Sequence, residues 1–415
     1  MPLHARIQSD STVTIRKIQI TGNETTKDFV ILREMSLKVG DTLSSESVDR
    51  DRNNIYNLGL FNTVDIDYSI EGDSAFIIVV VSERWYLVPF PVLGIKYRDF
   101  SKIYYGAGVM HSNFRGCNEK IFGMGALGYD RLVMVNYQTP KVDDDGNYFL
   151  GTSLVLQEIH NLSIYSTEYM NTNIFLKGNV GRRFGLYQTV SATVGYEVWQ
   201  VDDLQLRRTV SESGRDAFFT TSISYKYDDR NNFEYTTDGT FIFFTLLKNG
   251  FGASDVDITS LSIDARQFFG LNGGSSIGIR TSGAFTWGGK IPTYRHVFFG
   301  FNDRVRGHFY RKVEGENMVG ANLELRFPIL LPRYYTAKFI DIPEFKKLRY
   351  GLYFGVFADA GRIWSRSDLF LDSPWYSGYG AGFQILLPYG VTIRVEAAVN
   401  NLGRAEAFVD FGTSF

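Results

Sequence analysis

Between Trp85 and Phe415 the chain alternates apolar and polar side chains with a period of two, in segments of roughly ten residues separated by polar turns, and few folds accommodate such a run. Val319, Ala321, Leu323, Leu325 and Phe327 interleave with Gly320, Asn322, Glu324 and Arg326; Val391, Ile393, Val395 and Ala397 interleave with Thr392, Arg394 and Glu396. A single strand of this kind fits two environments. In a soluble sandwich the apolar face is the inner one. In a membrane barrel it meets lipid, and the polar face lines the lumen.

The number of strands separates the two. About sixteen segments carry the pattern, near 88–98, 103–112, 119–129, 131–139, 148–158, 172–182, 187–200, 216–228, 239–249, 256–269, 274–287, 317–328, 350–363, 376–388, 391–400 and 406–415. Each is long enough for a tilted strand to cross a bilayer, ~9–11 residues. An even number brings both ends of the array to one side, next to the amino-terminal residues. With 41 Gly, 15% aromatics and only 10 Pro, the composition suits many extended strands. No apolar run approaches the ~18 residues of a spanning helix. The fold expected is a small α+β domain over 13–84 followed by an all-β transmembrane barrel of 16 antiparallel strands over 85–415, with a long loop folded inward from its far end. Residues 1–12 lack the apolar stretch of a signal peptide and are expected to be the remnant of a leader or an addition.

The region before Trp85 reads β-α-α-β-β. Val13, Ile15, Ile18 and Ile20 mark a strand that ends at Gly22-Asn23; Thr25 and Asp28 have capping-box spacing ahead of Phe29, Leu32 and Met35. Gly40-Asp41 separates the helices, Ser44 or Ser45 is placed to cap the second, and Gly59 to stop it. Gly22, Asn23, Gly40 and Phe61, the last within Leu58-Gly59-Leu60-Phe61-Asn62-Thr63-Val64, resemble the recurring features of the polypeptide-transport-associated (POTRA) domain. That resemblance implies an exposed edge strand to which an extended peptide adds by backbone hydrogen bonds.

The longest connection of interest runs from about Gly288 to Glu316 and contains Val305-Arg306-Gly307-His308. The strands after it carry Glu324 and, within Phe357-Ala358-Asp359-Ala360-Gly361, Asp359. Together these pieces resemble the BamA/TamA-type outer-membrane insertase and two-partner secretion superfamily, with a POTRA domain and a 16-stranded barrel, and most resemble its compact single-POTRA members. The resemblance implies that the loop folds back into the lumen, where Arg306 next to Gly307 grips Glu324 and Asp359, the latter in the Phe-x-Asp-x-Gly strand that ends at Gly361. His308 departs from the usual Phe or Tyr, which weakens the packing part of the likeness. A guanidinium suits such an anchor because its rigid fork of donors holds two carboxylates.

Glu83-Arg84-Trp85-Tyr86-Leu87-Val88-Pro89-Phe90-Pro91 resembles the junction of the compact members. Pro89 and Pro91 remove ladder donors, so the first strand is expected to pair poorly where it begins, or the two simply stiffen the linker. The last strand ends in Phe415, expected on one face with Phe411, Val409 and Ala407, as in the assembly signal of outer-membrane barrels. The implied function is outer-membrane protein assembly: the POTRA domain receives unfolded barrel clients, and the seam between strands one and sixteen templates them. The alternatives are a two-partner-type secretion pore for a secreted polypeptide, or the membrane partner of a patatin-like lipase system. The implied location is the outer membrane of a Gram-negative bacterium with the POTRA domain in the periplasm. The partners are the lipid bilayer, with lipopolysaccharide as a candidate, and periplasmic accessory proteins.

Other signals carry little. Lys+Arg 43 against Asp+Glu 45 gives −2, which removes the electrostatic basis for binding nucleic acid. Gly123 to Gly128 matches GxGxxG, but no helix follows; no GxSxG nucleophile elbow occurs, since the literal match Gly274 to Gly278 opens the 274–287 strand segment and leads into no helix, so no enzyme is expected. The five His show no ligand spacing and Cys117 is the single cysteine, so no metal and no cofactor is expected. Arg182-Arg183 and Arg207-Arg208 read as solvated charges.

Overall fold

The computed structural model describes residues 13–96, 99–143, 146–164, 166–201, 208–251, 255–299, 305–308, 313–338, 346–368, 370–413 and 415. Residues 1–12, Arg207 and part of the 288–316 connection fall outside the described residues.

The amino-terminal domain runs β1 (Thr14–Thr21), α1 (Asp28–Leu32), α2 (Ser45–Asn57), β2 (Phe61–Glu71) and β3 (Ser74–Glu83), with sheet order β1-β3-β2. Ile15, Ile31, Ile55, Leu60, Phe61, Ile77 and Val79 fill its core. Gly22, at φ +85, lies so close to β3 that a Cβ would sit 2.0 Å from the Val81 carbonyl oxygen. Gly40, at φ +100, turns the chain between the helices, and Gly59, at φ +72, follows the end of α2. Asn23 donates to the Thr26 carbonyl and to Asp28. The helix starts differ from the expectation. Neither Thr25 nor Ser44 caps through its side chain; Glu83 instead reaches from the end of β3 to accept from the amides of Thr25 and Thr26. That carboxylate fixes the turn leading into α1, ahead of its N-cap Lys27.

Sixteen antiparallel strands follow in chain order: β4 (Leu87–Ile95), β5 (Ile103–Phe114), β6 (Glu119–Gly128), β7 (Arg131–Thr139), β8 (Tyr148–Ser163), β9 (Ser166–Phe184), β10 (Gln188–Val201), β11 (Arg215–Asp228), β12 (Gly239–Asn249), β13 (Ile258–Gly270), β14 (Ser276–Gly288), β17 (Asn317–Thr336), β18 (Lys347–Trp364), β19 (Trp375–Leu386), β20 (Thr392–Asn400) and β21 (Ala405–Phe411). The connection between β14 and β17 contains its own small hairpin, β15 (Val297–Phe299) with β16 (Val313–Gly315). β4 and β21 are the two ends of the sheet. No helix among the described residues is long and apolar enough to cross a membrane.

Burial is inverted relative to a soluble sandwich. Leu93 is 75% and Tyr379 64% exposed, whereas Glu324 is 0% and Arg306 3% exposed. Only a lipid-facing outer surface and a polar interior make that arrangement stable. Sheet curvature brings distant parts of the wall together: Tyr235, from the β11–β12 turn, lies tilted against Tyr353 of β18 at 4.3 Å between centroids.

Several strands depart from the sequence reading: β8 runs on to Ser163, past the expected 158, and β9 begins at Ser166, ahead of the expected 172. β17 continues past 328 to Thr336, with register shifts around Pro328 and Leu330, where the prolines Pro328 and Pro332 supply no ladder donor. β21 ends at Phe411 rather than at 415, because Gly412, at φ +87, turns the chain out of the strand.

Candidate functional site

The loop carrying Arg306 lies inside the sheet's concave face. Its guanidinium donates from Nε to Asp359 Oδ2 (2.7 Å), from Nη2 to Asp359 Oδ1 (2.9 Å) and from Nη1 to Glu324 Oε2 (2.6 Å), while its backbone amide donates to Asp359 Oδ2 (3.0 Å). Glu324 comes from β17 and Asp359 from β18, at diagonal positions two residues apart in the register, Asn322↔Asp359 and Glu324↔Phe357. Period-two geometry explains the Phe-x-Asp-x-Gly spacing on β18. Phe357, Asp359 and Gly361 all face inward: the Phe357 ring lies 3.6 Å beneath the guanidinium carbon, Asp359 holds its charge, and Gly361 leaves the space that Phe299 fills, since a Cβ there would meet Phe299 at 2.5 Å.

Sequence reasoning missed part of this cluster. Glu396 on β20 accepts from Arg306 Nη1 at 3.3 Å and from Arg394 Nη1 at 3.0 Å. Arg326 and Gln384 hold the second oxygen of Glu324 at 2.7 and 2.8 Å. Arg394 continues the chain to Asp410 (2.7 Å) and to the Gly412 carbonyl (2.8 Å), so charges of alternating sign run from the loop to the end of β21. The inward parity of Arg394 and Glu396 was visible in the alternation; which lumenal charge each would meet was not.

The backbone of the loop is held as firmly as its side chains. Gly307, at φ +94, places its carbonyl to accept from Asn400 Nδ2 at 2.5 Å. On β19 a Cβ at Gly378 would stand 1.9 Å from the Arg306 carbonyl oxygen, so only glycine admits this approach. His308 does not loosen the packing, contrary to the expectation: it is buried edge-on against Tyr376 at 5.3 Å, and its Nε2 lies 2.9 Å from Asn401 Oδ1 and 3.1 Å from the Ser377 carbonyl. Imidazole keeps the aromatic contact and adds polar ones. Further along the connection, Arg295 binds Glu197 of β10 at 2.5 Å, Tyr294 binds Asp216 of β11 at 2.7 Å, and Glu314 accepts from Ser163 at the tip of β8. The described parts of the connection are therefore tied to β8, β10 and β11 as well as to β17, β18 and β20.

At the near mouth the amino-terminal domain is docked. Glu234, in the β11–β12 turn, accepts from Tyr56 (2.9 Å), Arg84 (3.0 Å) and Arg349 (2.5 Å), and Arg183 makes a two-pronged pair with Glu34 at 2.6 Å on both arms. Burial and the neighbouring Glu234 carboxylate push the Tyr56 phenol well above its ordinary value, so it remains a donor. A cavity of about 380 Å3 remains beneath the domain, lined by Glu34, Asn57, Arg183, Lys226 and Phe243 among others. Cys117 lies in the turn whose Gly116 carbonyl accepts from Lys27 of that domain. No group of metal-ligating side chains is found among the described residues.

The predicted seam residues are placed less simply. Pro89 and Pro91 stand exposed on the outer face of β4, yet the β4–β5 register runs through them unbroken. The β4–β5 ladder is intact because the prolines fall at positions whose backbone faces away from β5, so the donors they lack belong to the other edge of β4. Phe411 is 72% exposed, but Phe415 is 6% exposed, inside the lumen, stacked on Phe268 of β13 at 5.9 Å. The turn at Gly412 carries Phe415 off the lipid-facing row it was expected to share with Phe411.

The geometry agrees with what the chain resembles. The model for the Omp85 superfamily domain matches residues 113–413, and the POTRA model, surface antigen variable number repeat, matches residues 13–84. The outer membrane protein assembly factor BamA of Nitratidesulfovibrio vulgaris is 23% identical over 353 residues, 77% of this chain and 42% of that protein. BamA of Neorickettsia risticii is 32% identical over 198 residues, 46% of this chain and 23% of that protein. The chain thus spans less than half the length of these curated relatives. Among solved structures, BamA from Haemophilus ducreyi lacking POTRA domains 1–3 aligns with TM-score 0.60 at 20% identity over 97% of this chain and 84% of the other. CdiB from Escherichia coli aligns with TM-score 0.62 at 11% identity over 96% and 75%.

Proposed function

The chain belongs to the Omp85 superfamily, and from that membership we propose that it works as an outer-membrane assembly factor for β-barrel proteins. It resides in the outer membrane with its POTRA domain in the periplasm. Unfolded barrel clients approach from the periplasm, meet the POTRA domain, and add strand by strand at the seam between β4 and β21. Closing backbone hydrogen bonds and burying lipid-facing side chains supply the free energy, so no nucleotide is needed.

The observation that carries this reading is the position of β4 and β21 at the two ends of the sixteen-stranded sheet, beside the docked periplasmic domain. A secretion pore is the second reading, favoured by the likeness to CdiB. Against it, Arg306, Arg295 and Tyr294 anchor the described part of the connection to residues of β17, β10 and β11 inside the lumen. Cysteines joining β4 to β21 separate the two in cells that depend on this protein. Under templating, the closed disulfide halts client-barrel assembly and reductant restores it. Client assembly that proceeds with the seam locked would refute templating and favour the lumenal route.

A further inference from the structure

The cations around the cavity beneath the amino-terminal domain do not all find acids. Arg183 is held by Glu34 and Arg230 by Asp228, each through two hydrogen bonds, and Arg33 closes on Glu34 and the Pro140 carbonyl. Lys226 lines the same cavity from β11, opposite Thr189 in the register, and no carboxylate among the described residues pairs with it. Lys120 of β6 is likewise without an acid. Its cross-strand partner is Gln138, which lines the cavity, so parity turns Lys120 to the same inner face. The charge that acts on Lys120 is a second cation, Lys226. Two ammonium groups close together with no acid beside them build a positive potential that an anion between them relieves. Hydroxyls stand alongside: Thr189 and Ser191 line the cavity from β10, with Ser191 opposite Ser224 of β11.

Two residues further along β6 the inner wall turns apolar. Val88, Met110 and Phe122 share one inward row across β4, β5 and β6, and the next row runs Phe90, Gly108, Met124, Met134 and Val155 across β4 to β8. Neither row carries a charged side chain. The rings of Phe90 and Phe122 stack at 5.7 Å, and Phe90 covers Gly108, where a Cβ would meet its ring at 2.3 Å. The opposite parity, with Val109, Leu127 and Val133, is the exposed outer face. A lumen is ordinarily lined by polar groups. Here an apolar strip with three methionines, side chains that adapt to irregular apolar partners, begins directly above a pair of unmatched cations.

We propose that this inner surface binds an anionic glycerophospholipid, its phosphate between Lys120 and Lys226 and its acyl chains along the apolar rows of β4 to β8. Charge complementarity selects the occupant. A neutral apolar molecule leaves both lysines unmatched, and free phosphate leaves the apolar rows bare; only an amphiphile with a negative head satisfies both parts at once. The cavity of about 380 Å3 between the amino-terminal domain and the wall gives the headgroup its room. The site uses neither edge of the sheet, so it goes beyond the assembly reading and does not depend on it.

Photolabelling of the full chain in an uncharged detergent tests it. The probe is phosphatidylglycerol with a diazirine on one acyl chain, compared with phosphatidylcholine carrying the same chains, and the labelled residues are mapped by mass spectrometry. The expected result is labelling of the inward Phe122, Met124 and Met134 by phosphatidylglycerol, with about tenfold less from phosphatidylcholine. Lys120→Gln combined with Lys226→Gln lowers the inward label to the phosphatidylcholine level, whereas Lys120→Arg with Lys226→Arg retains it. Met124→Asn with Met134→Asn, which leaves both lysines in place, removes the label from Phe122. Heat-dependent gel mobility checks that each variant keeps its barrel, and the comparison of the two probes stands on the unmodified protein alone. Label confined to the outward Leu127 and Val133, equal inward label from both lipids, or unchanged label without the two lysines overturns the proposal. Protection of Lys120 and Lys226 from amine acylation by inorganic phosphate as complete as that by phosphatidylglycerol, with no inward label, overturns it in favour of a simple anion site. An extended peptide of alternating apolar residues that occupies the inner rows where the lipid does not overturns it in favour of a polypeptide occupant. A failure of client assembly in cells leaves the labelling pattern unchanged.

Discussion

Replacing Arg306 with alanine strands one carboxylate far more than the others, and the hydrogen bonds around it give the size of the effect. Every described donor to Asp359 comes from Arg306: Nε, Nη2 and the backbone amide. Glu324 keeps Arg326 and Gln384, and Glu396 keeps Arg394. The cost of Arg306→Ala is therefore concentrated on Asp359, a fully buried side chain, and breaking a buried ion pair from one side costs roughly 3–5 kcal/mol. Asp359→Ala in the same chain removes the orphaned charge, so the double variant should recover about 0.5–3 kcal/mol relative to the sum of the singles. Urea unfolding in detergent micelles, followed by tryptophan fluorescence, measures the stabilities; protease cleavage of the 288–316 loop measures its release. The barrel should still form in both singles, because the wall's backbone ladders do not pass through the anchor. Additive costs, or a loop equally protected in Arg306→Ala and the unmodified protein, would refute the reasoning.

Gly378→Ala should displace the loop and expose it to protease, since the added Cβ meets the Arg306 carbonyl, while Gly123→Ala, which meets nothing within 4 Å, should leave protection unchanged. At the periplasmic mouth, the raised pKa of Tyr56 fixes the sign of the pH response. The folded state holds the phenolic proton more tightly than the unfolded chain, so its contribution is complete below the ordinary value of 10.0 and fades above it. Hydrogen exchange in the POTRA domain should be insensitive to Tyr56 ionisation at neutral pH, after correction for intrinsic rates. Protection should fall above about pH 10, and Tyr56→Phe should abolish that response.

Much of the barrel was legible because its rules are local. A strand's side chains alternate faces whatever its neighbours, so the alternation alone assigns Glu324 and Asp359 to the lumen. Gly22 and Gly40 likewise announced their turns, since a positive φ is a property of one residue. The strand ends were less legible. The segment expected to end at 328 runs on as β17 through register shifts to Thr336, and Phe415 looked like the close of β21 but lies beyond it. The site was legible only as far as the family motif reached: Arg306, Glu324 and Asp359 were named, while Glu396, Arg326, Gln384 and the packing of His308 on Tyr376 were not.

The sequence by itself determined that this chain forms an inside-out β array with a small α+β domain in front, because period-two alternation and turn residues act over a few bonds. Only the tertiary structure decided which charges meet across the lumen, that Phe415 leaves the lipid face, and that the two prolines face the seam rather than β5. Those depend on sheet curvature and ladder register, which sum over hundreds of residues and which no local stretch of the chain records.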